Sequence, residues 1–305
     1  MSKLTQALKY YGILALSYLA LAMLLPANHA AQRDYHLSSS AYHALVFLVI
    51  LPLIGIWLGA FYSYARLQQY SEAIADTSQG DDFQHLTTGF QWLAWGSAAT
   101  SLLSMALNAI ANIHPGFIGF SIIVVNYASL IVPLVAYSYI STGARGLNIN
   151  AKISISGYGV KALSFGFMLL GVTFCFLTFR HLNIDSLGST QNPYYLPPWL
   201  IILTIIVPYL YTWFIGLLAA YEIYLYGKHS EGVLYQHAIR QLSFGVIAVI
   251  ASSIVVQYLR SAIPRSGHLS LNTILMLINV IYIFMAIGYI FLSLGARQLR
   301  KIEEV

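Results

Sequence analysis

Charged side chains are scarce in this 305-residue chain, where Asp, Glu, Lys and Arg make up 8% of the sequence and hydrophobic residues 58%. A soluble protein has about a quarter of its residues charged. The deficit predicts that nearly the whole chain lies in or against lipid, with no room for a separate soluble domain. No charged residue stands near the middle of an apolar stretch, which argues against a relay of carboxylates for protons or cations inside the membrane.

Cysteine and the signatures of common catalytic sites are also nearly absent. Cys175 is the only cysteine, so neither a disulfide nor a thiol pair can form within one chain. None of the nine histidines lies at the centre of an apolar stretch, where they would be needed to hold a haem. The zinc-protease, phosphate-loop and serine-hydrolase signatures are missing, and the basic residues are dispersed, unlike those of nucleic-acid-binding modules. We therefore predict no catalytic residue, no metal, no cofactor and no nucleic-acid partner.

Apolar sequence is abundant, in eight stretches that are each about long enough to cross the hydrocarbon of a bilayer as a helix. They span residues 10–26, 43–66, 89–112, 117–142, 158–180, 197–226, 240–262 and 271–296. This predicts an all-α integral membrane protein with eight transmembrane helices. The first stretch resembles a signal peptide, but we interpret it as a mature helix because a matching segment recurs inside the chain.

Short motifs recur in the same order in the two halves of the chain. Tyr11-Gly12 and Ala15-Leu16-Ser17 recur as Tyr158-Gly159 and Ala162-Leu163-Ser164, Pro52 and Trp57 as Pro208 and Trp213, Gln84-His85 as Gln236-His237, and Gly143-Ala144-Arg145 as Gly295-Ala296-Arg297. The offset is 147 residues for the first two motifs, 156 for Pro and Trp, and 152 for the last two. Such a series is typical of tandem duplication. It predicts two four-helix membrane repeats, residues 1–150 and 151–305. A repeat with an even number of spans ends on the side of the membrane where it began, so the two repeats insert in the same orientation.

The distribution of Lys and Arg orients the predicted helices. Eight spans put both termini on one side, and eleven of the fifteen Lys and Arg residues fall on that side. Because basic loops stay in the cytoplasm, we predict that both termini are cytoplasmic, in a plasma or inner cell membrane.

Small and polar residues form one face of the third stretch. Gly96, Thr100, Ser104 and Asn108 follow at four-residue intervals, on one side of a helix. The seventh stretch carries Ser252 at the position that matches Thr100, and we expect these two helices to meet along the axis between the halves. Their polar side chains form either a packing face or the lining of a substrate path.

Three charged residues lie just inside span ends on the predicted cytoplasmic side: Arg66, Lys161 and Glu222. They form either a structural ion pair whose side chains reach toward water or a charged cytoplasmic gate or headgroup site. Because an isolated buried charge is costly, we expect the Glu222 carboxylate to approach Arg66, Lys161 or a water-filled cavity.

The pairs Gln84-His85 and Gln236-His237 stand at the cytoplasmic start of the third and seventh spans. Their presence in both halves suggests a shared geometric role, which is either hydrogen bonding to helix ends or, for His85 and His237, binding a ligand or sensing protons.

A duplicated bundle with an uncharged interior favours a multi-pass transporter or permease for a neutral or lipophilic small molecule. The alternative is a structural or assembly subunit of a larger membrane complex. A third interpretation is a membrane enzyme that acts on a lipid or quinone at the cytoplasmic surface through His85 or His237. The expected partners are membrane lipids, and for the subunit other membrane subunits or copies of this chain. A polar cavity between the halves would favour transport, and a dry contact would favour the subunit.

Cysteine accessibility in intact cells tests the predicted orientation. On a Cys175→Ala background, Ser39→Cys is expected to react with a membrane-impermeant thiol reagent, whereas Ser2→Cys and Val305→Cys are not, because both termini face the cytoplasm. Labelling at Ser2 or Val305 without labelling at Ser39 would show that the orientation is reversed.

Overall fold

The computed structural model describes residues 39–113, 118–148, 157–181, 206–262 and 271–303, together with Lys9, Gly12, Ile13, Leu16 and Leu203. In this part of the chain all regular structure is helical. The seven described helices are α1 (Ser39–Ala73), α2 (Gly80–Ile113), α3 (Ile118–Leu147), α4 (Gly157–His181), α5 (Val207–His229), α6 (Val233–Ala262) and α7 (Leu271–Glu303). They match the second to eighth predicted spans, so the all-α fold is confirmed. The first span, 10–26, lies almost wholly outside the described residues.

Two short turns join α1 to α2 and α5 to α6 on one face of the molecule, called the short-turn face below. In the first turn, the backbone N–H and the hydroxyl of Thr77 both donate to the carbonyl of Ile74, at 2.9 and 2.7 Å. The second turn passes through Gly232, whose φ of +90° is one that side chains disfavour. The Tyr226 hydroxyl, next to the second turn, donates to Gln79 Oε1 of the first at 3.0 Å, so the two turns are adjacent.

Six of the helices form a closed ring. In the order α1, α2, α3, α5, α6 and α7 each packs extensively against the next, and α7 returns to α1. The contacts α1–α2, α2–α3 and α3–α5 therefore recur as α5–α6, α6–α7 and α7–α1. α4 packs against α3.

Apolar side chains from both halves fill the interior of the ring. Trp57 and Phe61 of α1, Tyr137 of α3, Ile215 of α5 and Leu292 of α7 are at most 1% exposed and belong to one continuous cluster. Since lipid tails are as apolar as these side chains, close packing rather than expulsion of water holds the helices together. In the described part of the chain, this apolar cluster continues from one half into the other.

The helices expected to meet on the axis, α2 and α6, are not extensive neighbours. The main contacts of α2 are with α1 and α3, and those of α6 are with α5 and α7. Gly96 lies against Val132 of α3, and the Ser252 hydroxyl donates to the carbonyl of Val249 on its own helix at 2.7 Å. The described residues of the third and seventh spans thus make no extensive contact, and Gly96 packs instead on the next helix in the chain.

Glycine permits close helix approaches at the two copies of the Gly-Ala-Arg motif. A Cβ atom at Gly143 of α3 would overlap the Asp82 carbonyl oxygen and lie 2.6 Å from the Leu86 nitrogen of α2. A Cβ atom at Gly295 of α7 would lie 2.6 Å from the Ala238 carbonyl oxygen of α6. Small residues of this kind let the backbones of membrane helices touch.

Three of the described helices are long and apolar enough to cross a membrane, over Val124–Leu147, Val233–Val255 and Asn279–Ile302. Large apolar side chains also cover the outer surface. Leu163, Phe165, Leu210, Phe214 and Met276 are 52–69% exposed. Such extensive exposed apolar surface marks a membrane or protein contact, and together with the long apolar helices it indicates a helical membrane protein.

Single methyl groups test the close approaches. Gly143→Ala and Gly295→Ala should each lower the free energy of unfolding in detergent by about 1–3 kcal/mol, because the helices must move apart to admit the Cβ atom. Gly166→Ala of α4 is the matched control, since nothing lies within 4 Å of its Cβ position, and alanine should favour the helix by up to about 1 kcal/mol. Equal stability of the three variants would contradict the proposed contacts.

Candidate functional site

A buried ion pair joins the two halves of the chain between α3 and α5. The Arg145 Nε–H donates to one carboxylate oxygen of Glu222, and the Ser141 hydroxyl donates to the other at 2.8 Å. The Glu222 side chain is 1% exposed and that of Arg145 is 12% exposed. Both oxygens of the carboxylate have a donor, which offsets the cost of removing the charge from water.

The partner of Glu222 differs from the expected ones. Arg66 lies on α1, with its guanidinium carbon 5.2 Å from the centre of the Tyr62 ring. Lys161 lies on α4, and its side chain is outside the described residues. Arg145 follows the fourth apolar stretch, 117–142, and the packing of α3 against α5 brings it to Glu222. Its place in the repeated Gly-Ala-Arg motif is the sequence signal that could have identified it.

The matching place between α1 and α7 carries a different set of charges. By the offsets of the repeated motifs, Glu222 corresponds to Arg66, 156 residues earlier, and Arg145 corresponds to Arg297, 152 residues later. Two arginines therefore replace the arginine–glutamate pair. Instead of an ion pair, Ser63 of α1 and Ser293 of α7 share a hydrogen bond of 2.9 Å.

A lateral groove of about 770 Å³ runs between α1 and α7. Its apolar walls include Pro52, Gly55, Ile56 and Gly59 of α1 and Ile283, Ala286, Ile290 and Leu294 of α7. Tyr62, Ser293 and Arg297 line the end nearer the short-turn face, and no acidic residue is among the described residues of the lining. Ile283 and Ile290 are 58% and 57% exposed, so the groove opens outward. Its size and walls suit an elongated lipophilic molecule.

The other boundary between the halves, α3–α5, is covered by α4. Ser164 of α4 shares a hydrogen bond of 2.6 Å with Ser138 of α3, and the Phe167 ring lies 4.9 Å from the Tyr211 ring of α5. The segment that matches α4 in sequence, 10–26, lies almost wholly outside the described residues. Among the described residues, one boundary is thus bridged and covered, and the other forms an open groove.

The side chains of three of the four predicted substrate-path residues are described. Thr100 and Ser104 are half-buried on α2, Ser252 is buried on α6, and the Asn108 side chain lies outside the described residues. Thr100, Ser104 and Ser252 are not among the described residues that line the lateral groove. The path through these residues stays a prediction.

The Gln-His pairs have separate surroundings. Gln236 donates from its side chain to the Ser230 carbonyl at 2.8 Å, which is the expected role at a helix end. His85 lies 6.1 Å from the Tyr139 ring, and His237 is exposed on α6. In the described part of the chain, no three His, Cys, Asp or Glu side chains lie close enough to hold a metal ion.

An aromatic cluster not indicated by the sequence pins the two short turns together. The Tyr226 hydroxyl, which donates to Gln79, also shares a hydrogen bond of 3.0 Å with Tyr235, and the Tyr70 hydroxyl donates to Tyr235 at 3.5 Å. Phe83 packs edge-on against Tyr70 and Tyr226, with ring centres 5.1 and 6.3 Å apart. A polar hollow of about 510 Å³ adjoins this cluster.

No protein family, curated protein or solved structure compared with the chain matches it significantly.

Removing one member of the buried pair tests its contribution. Arg145→Gln or Glu222→Gln leaves the opposite charge buried and alone, so each should lower the unfolding free energy in detergent by about 3 kcal/mol or more. The double variant should recover much of this loss, because no lone charge remains. Arg297→Gln, at the matching position of the motif and exposed, should leave the unfolding midpoint unchanged. Simple addition of the two losses in the double variant would contradict a direct pair.

Proposed function

We propose that the protein is a multi-pass membrane permease that takes a lipophilic small molecule from the bilayer into the groove between α1 and α7. The groove itself carries the proposal. It combines a volume of about 770 Å³ and apolar walls with Arg297 near one end. The fit is to a molecule with an apolar body and a neutral or anionic polar end.

A polar substrate fits the described residues less well. The interior of the ring is a continuous apolar cluster, and a polar path through it would leave the substrate's hydrogen-bonding groups without partners. Such a path would also have to part α3 from α5, breaking the Arg145–Glu222 pair. A lateral route along the lipid-facing surface avoids both costs.

The proposed architecture is eight transmembrane helices in two parallel four-helix repeats, residues 1–150 and 151–305. Two observations support it. The contacts of α1, α2 and α3 recur among α5, α6 and α7. Tyr137 and Tyr289, which are 152 residues apart, are both buried in the common cluster. The short-turn face is then cytoplasmic, as are both termini, in a plasma or inner cell membrane.

The unequal boundaries suggest where the bundle moves. α3 and α5 are joined by a buried ion pair and covered by α4, whereas Arg66 and Arg297 occupy the matching positions on α1 and α7. Like charges do not hold helices together. The contact between α1 and α7 has the Ser63–Ser293 hydrogen bond where the other boundary has a buried ion pair, and in this proposal it is the contact that opens to admit the substrate.

One observation favours a second candidate, a structural or assembly subunit of a larger membrane complex or of a homo-oligomer. One apolar cluster continues through both halves, and a buried ion pair joins α3 to α5, as expected for a bundle that does not open. The enzyme interpretation has no comparable support, since neither His85 nor His237 lines the groove or the hollows.

Filling the groove tests the permease. Gly55→Trp should block it without disturbing the packing, because nothing lies within 4 Å of the Cβ position of Gly55. Gly166→Trp is the matched control. Nothing lies within 4 Å of the Cβ position of Gly166 either, and its helix, α4, does not line the groove. The measurement is the transfer of a fluorescent acyl-chain phospholipid between leaflets of proteoliposomes, followed by dithionite bleaching.

Wild-type protein and Gly166→Trp are expected to accelerate the transfer, and Gly55→Trp to return it to the rate of protein-free liposomes. Equal rates for the two tryptophan variants would move the path away from the groove. No acceleration by the wild type would reject transfer of this class of molecule and favour the subunit.

A further inference from the structure

Two arginines, Arg66 of α1 and Arg297 of α7, lie at one level of neighbouring helices. The Cβ position at Gly59 is 3.3 Å from the Tyr289 Cβ atom, and one turn further the serine hydrogen bond between the same helices keeps the same separation of 230 residues. A constant separation means that α1 and α7 run in the same direction. Continued along the helices, it places Arg66 opposite residue 296, beside Arg297.

No acidic partner accompanies either arginine in the part of the chain that the structure describes. Arg66 donates from Nη1 to Gln69 Oε1, a neutral acceptor, at 3.2 Å. Arg297 is exposed at the end of the groove and forms neither a hydrogen bond nor an ion pair with the described residues. The one acid of each helix, Glu72 or Glu303, comes six residues after its arginine, about 9 Å farther along the axis.

At the matching place between α3 and α5, the chain supplies an anion of its own. There Arg145, the counterpart of Arg297, donates to the Glu222 carboxylate. The Ser141 hydroxyl donates to its other oxygen at 2.8 Å. In the first half, Arg66 stands where Glu222 stands in the second. The boundary between α1 and α7 therefore has two guanidinium groups and, among its described residues, no carboxylate at their level.

The lateral groove begins at these arginines and continues along the lipid-facing surface. Arg297 lines its end, and the Arg66 guanidinium carbon lies 5.2 Å from the centre of the ring of Tyr62, another lining residue. On α1 the wall runs from Pro52 to Tyr62, a rise of about 15 Å. This equals about half of the 30 Å hydrocarbon layer. The groove thus has the length of an acyl chain in one leaflet and a positive charge at the headgroup end.

We propose that the groove between α1 and α7 binds a phospholipid of net negative charge, whose phosphate lies at Arg66 and Arg297 in the role that the Glu222 carboxylate has at the other boundary. Arg297 donates to the phosphate, since the planar guanidinium suits phosphate oxygens, and Arg66 beside Tyr62 adds a second positive charge. A zwitterionic headgroup fits less well, because no acid in the described lining pairs with its ammonium group.

This inference deepens the proposed function and rests on it in making the bound lipid the substrate of a permease. The binding itself does not require transfer between leaflets, so the two can be tested apart.

Photolabelling of the full chain in phosphatidylcholine nanodiscs tests the site. The probes are a phosphatidylglycerol and a phosphatidylcholine that carry the same diazirine-labelled acyl chain and differ only in the headgroup. Mass spectrometry locates the labelled peptides. The measured quantity is the ratio of the label that α1 and α7 take up from the first probe to the label that they take up from the second.

Three variants separate the groove from general attraction to a basic surface. Arg297→Gln removes the charge that lines the groove. Lys301→Gln is its matched control, since Lys301 is an exposed cation one turn further along α7 and is not among the described residues of the lining. Gly55→Trp fills the groove and keeps both arginines. Unchanged thermal stability in detergent shows that each variant is folded.

In the wild type and Lys301→Gln, α1 and α7 should take up about tenfold more label from phosphatidylglycerol than from phosphatidylcholine. This is the ratio expected for hydrogen bonds between charged groups. Arg297→Gln should lower the ratio about fivefold or more, because the donor that lines the groove is lost. Gly55→Trp should remove the excess label from α1 and α7, because the acyl chain no longer fits.

Three results would overturn the proposal: equal labelling of the wild type by the two probes, equal ratios for Arg297→Gln and Lys301→Gln, or unchanged labelling of Gly55→Trp. Transfer between leaflets without headgroup selectivity would reject this inference and leave the permease. Selective labelling without transfer would reject the permease and leave the lipid site.

Discussion

The pair formed by Arg145 and Glu222 is the interaction on which the arrangement of the two halves depends. A carboxylate that is 1% exposed is tolerated only where a cation and further donors reach it. Arg145 and Ser141 reach Glu222 only when α3 lies beside α5. The pair therefore favours α3 as a neighbour of α5, and the two short turns place α2 beside α1 and α6 beside α5.

Differences at a few matched positions give the two boundaries unlike properties. Glu222 and Arg66 correspond in sequence, yet one is paired across α3–α5 and the other lies against Tyr62 beside the groove. These differences leave an ion pair at one boundary and a groove at the other.

Part of the candidate site follows from sequence and part does not. The need of Glu222 for a partner is predictable, because a buried charge is costly in any fold. The identity of that partner is not, since Arg145 lies 77 residues away along the chain and is reached only through helix packing. Gly96 shows the same limit: its small size predicts a close helix contact, but the contacting residue, Val132 of α3, depends on which helix lies beside α2. The groove could not be predicted from the sequence. Gly55 lies in its α1 wall and Ile290 in its α7 wall, and each residue alone is ordinary in an apolar helix.

The sequence by itself determined that this is a helical membrane protein and which residues are helical, because the length and apolarity of a span are local properties of the chain. The recurring motifs also predict which positions correspond between the halves. Only the tertiary structure decided which helices are neighbours, where the lateral groove opens and which of two matched places remains unfilled. Those features depend on contacts between residues far apart in the chain. In lipid such contacts are selected by the fit of small side chains and by the pairing of charges, not by the pattern of apolar residues.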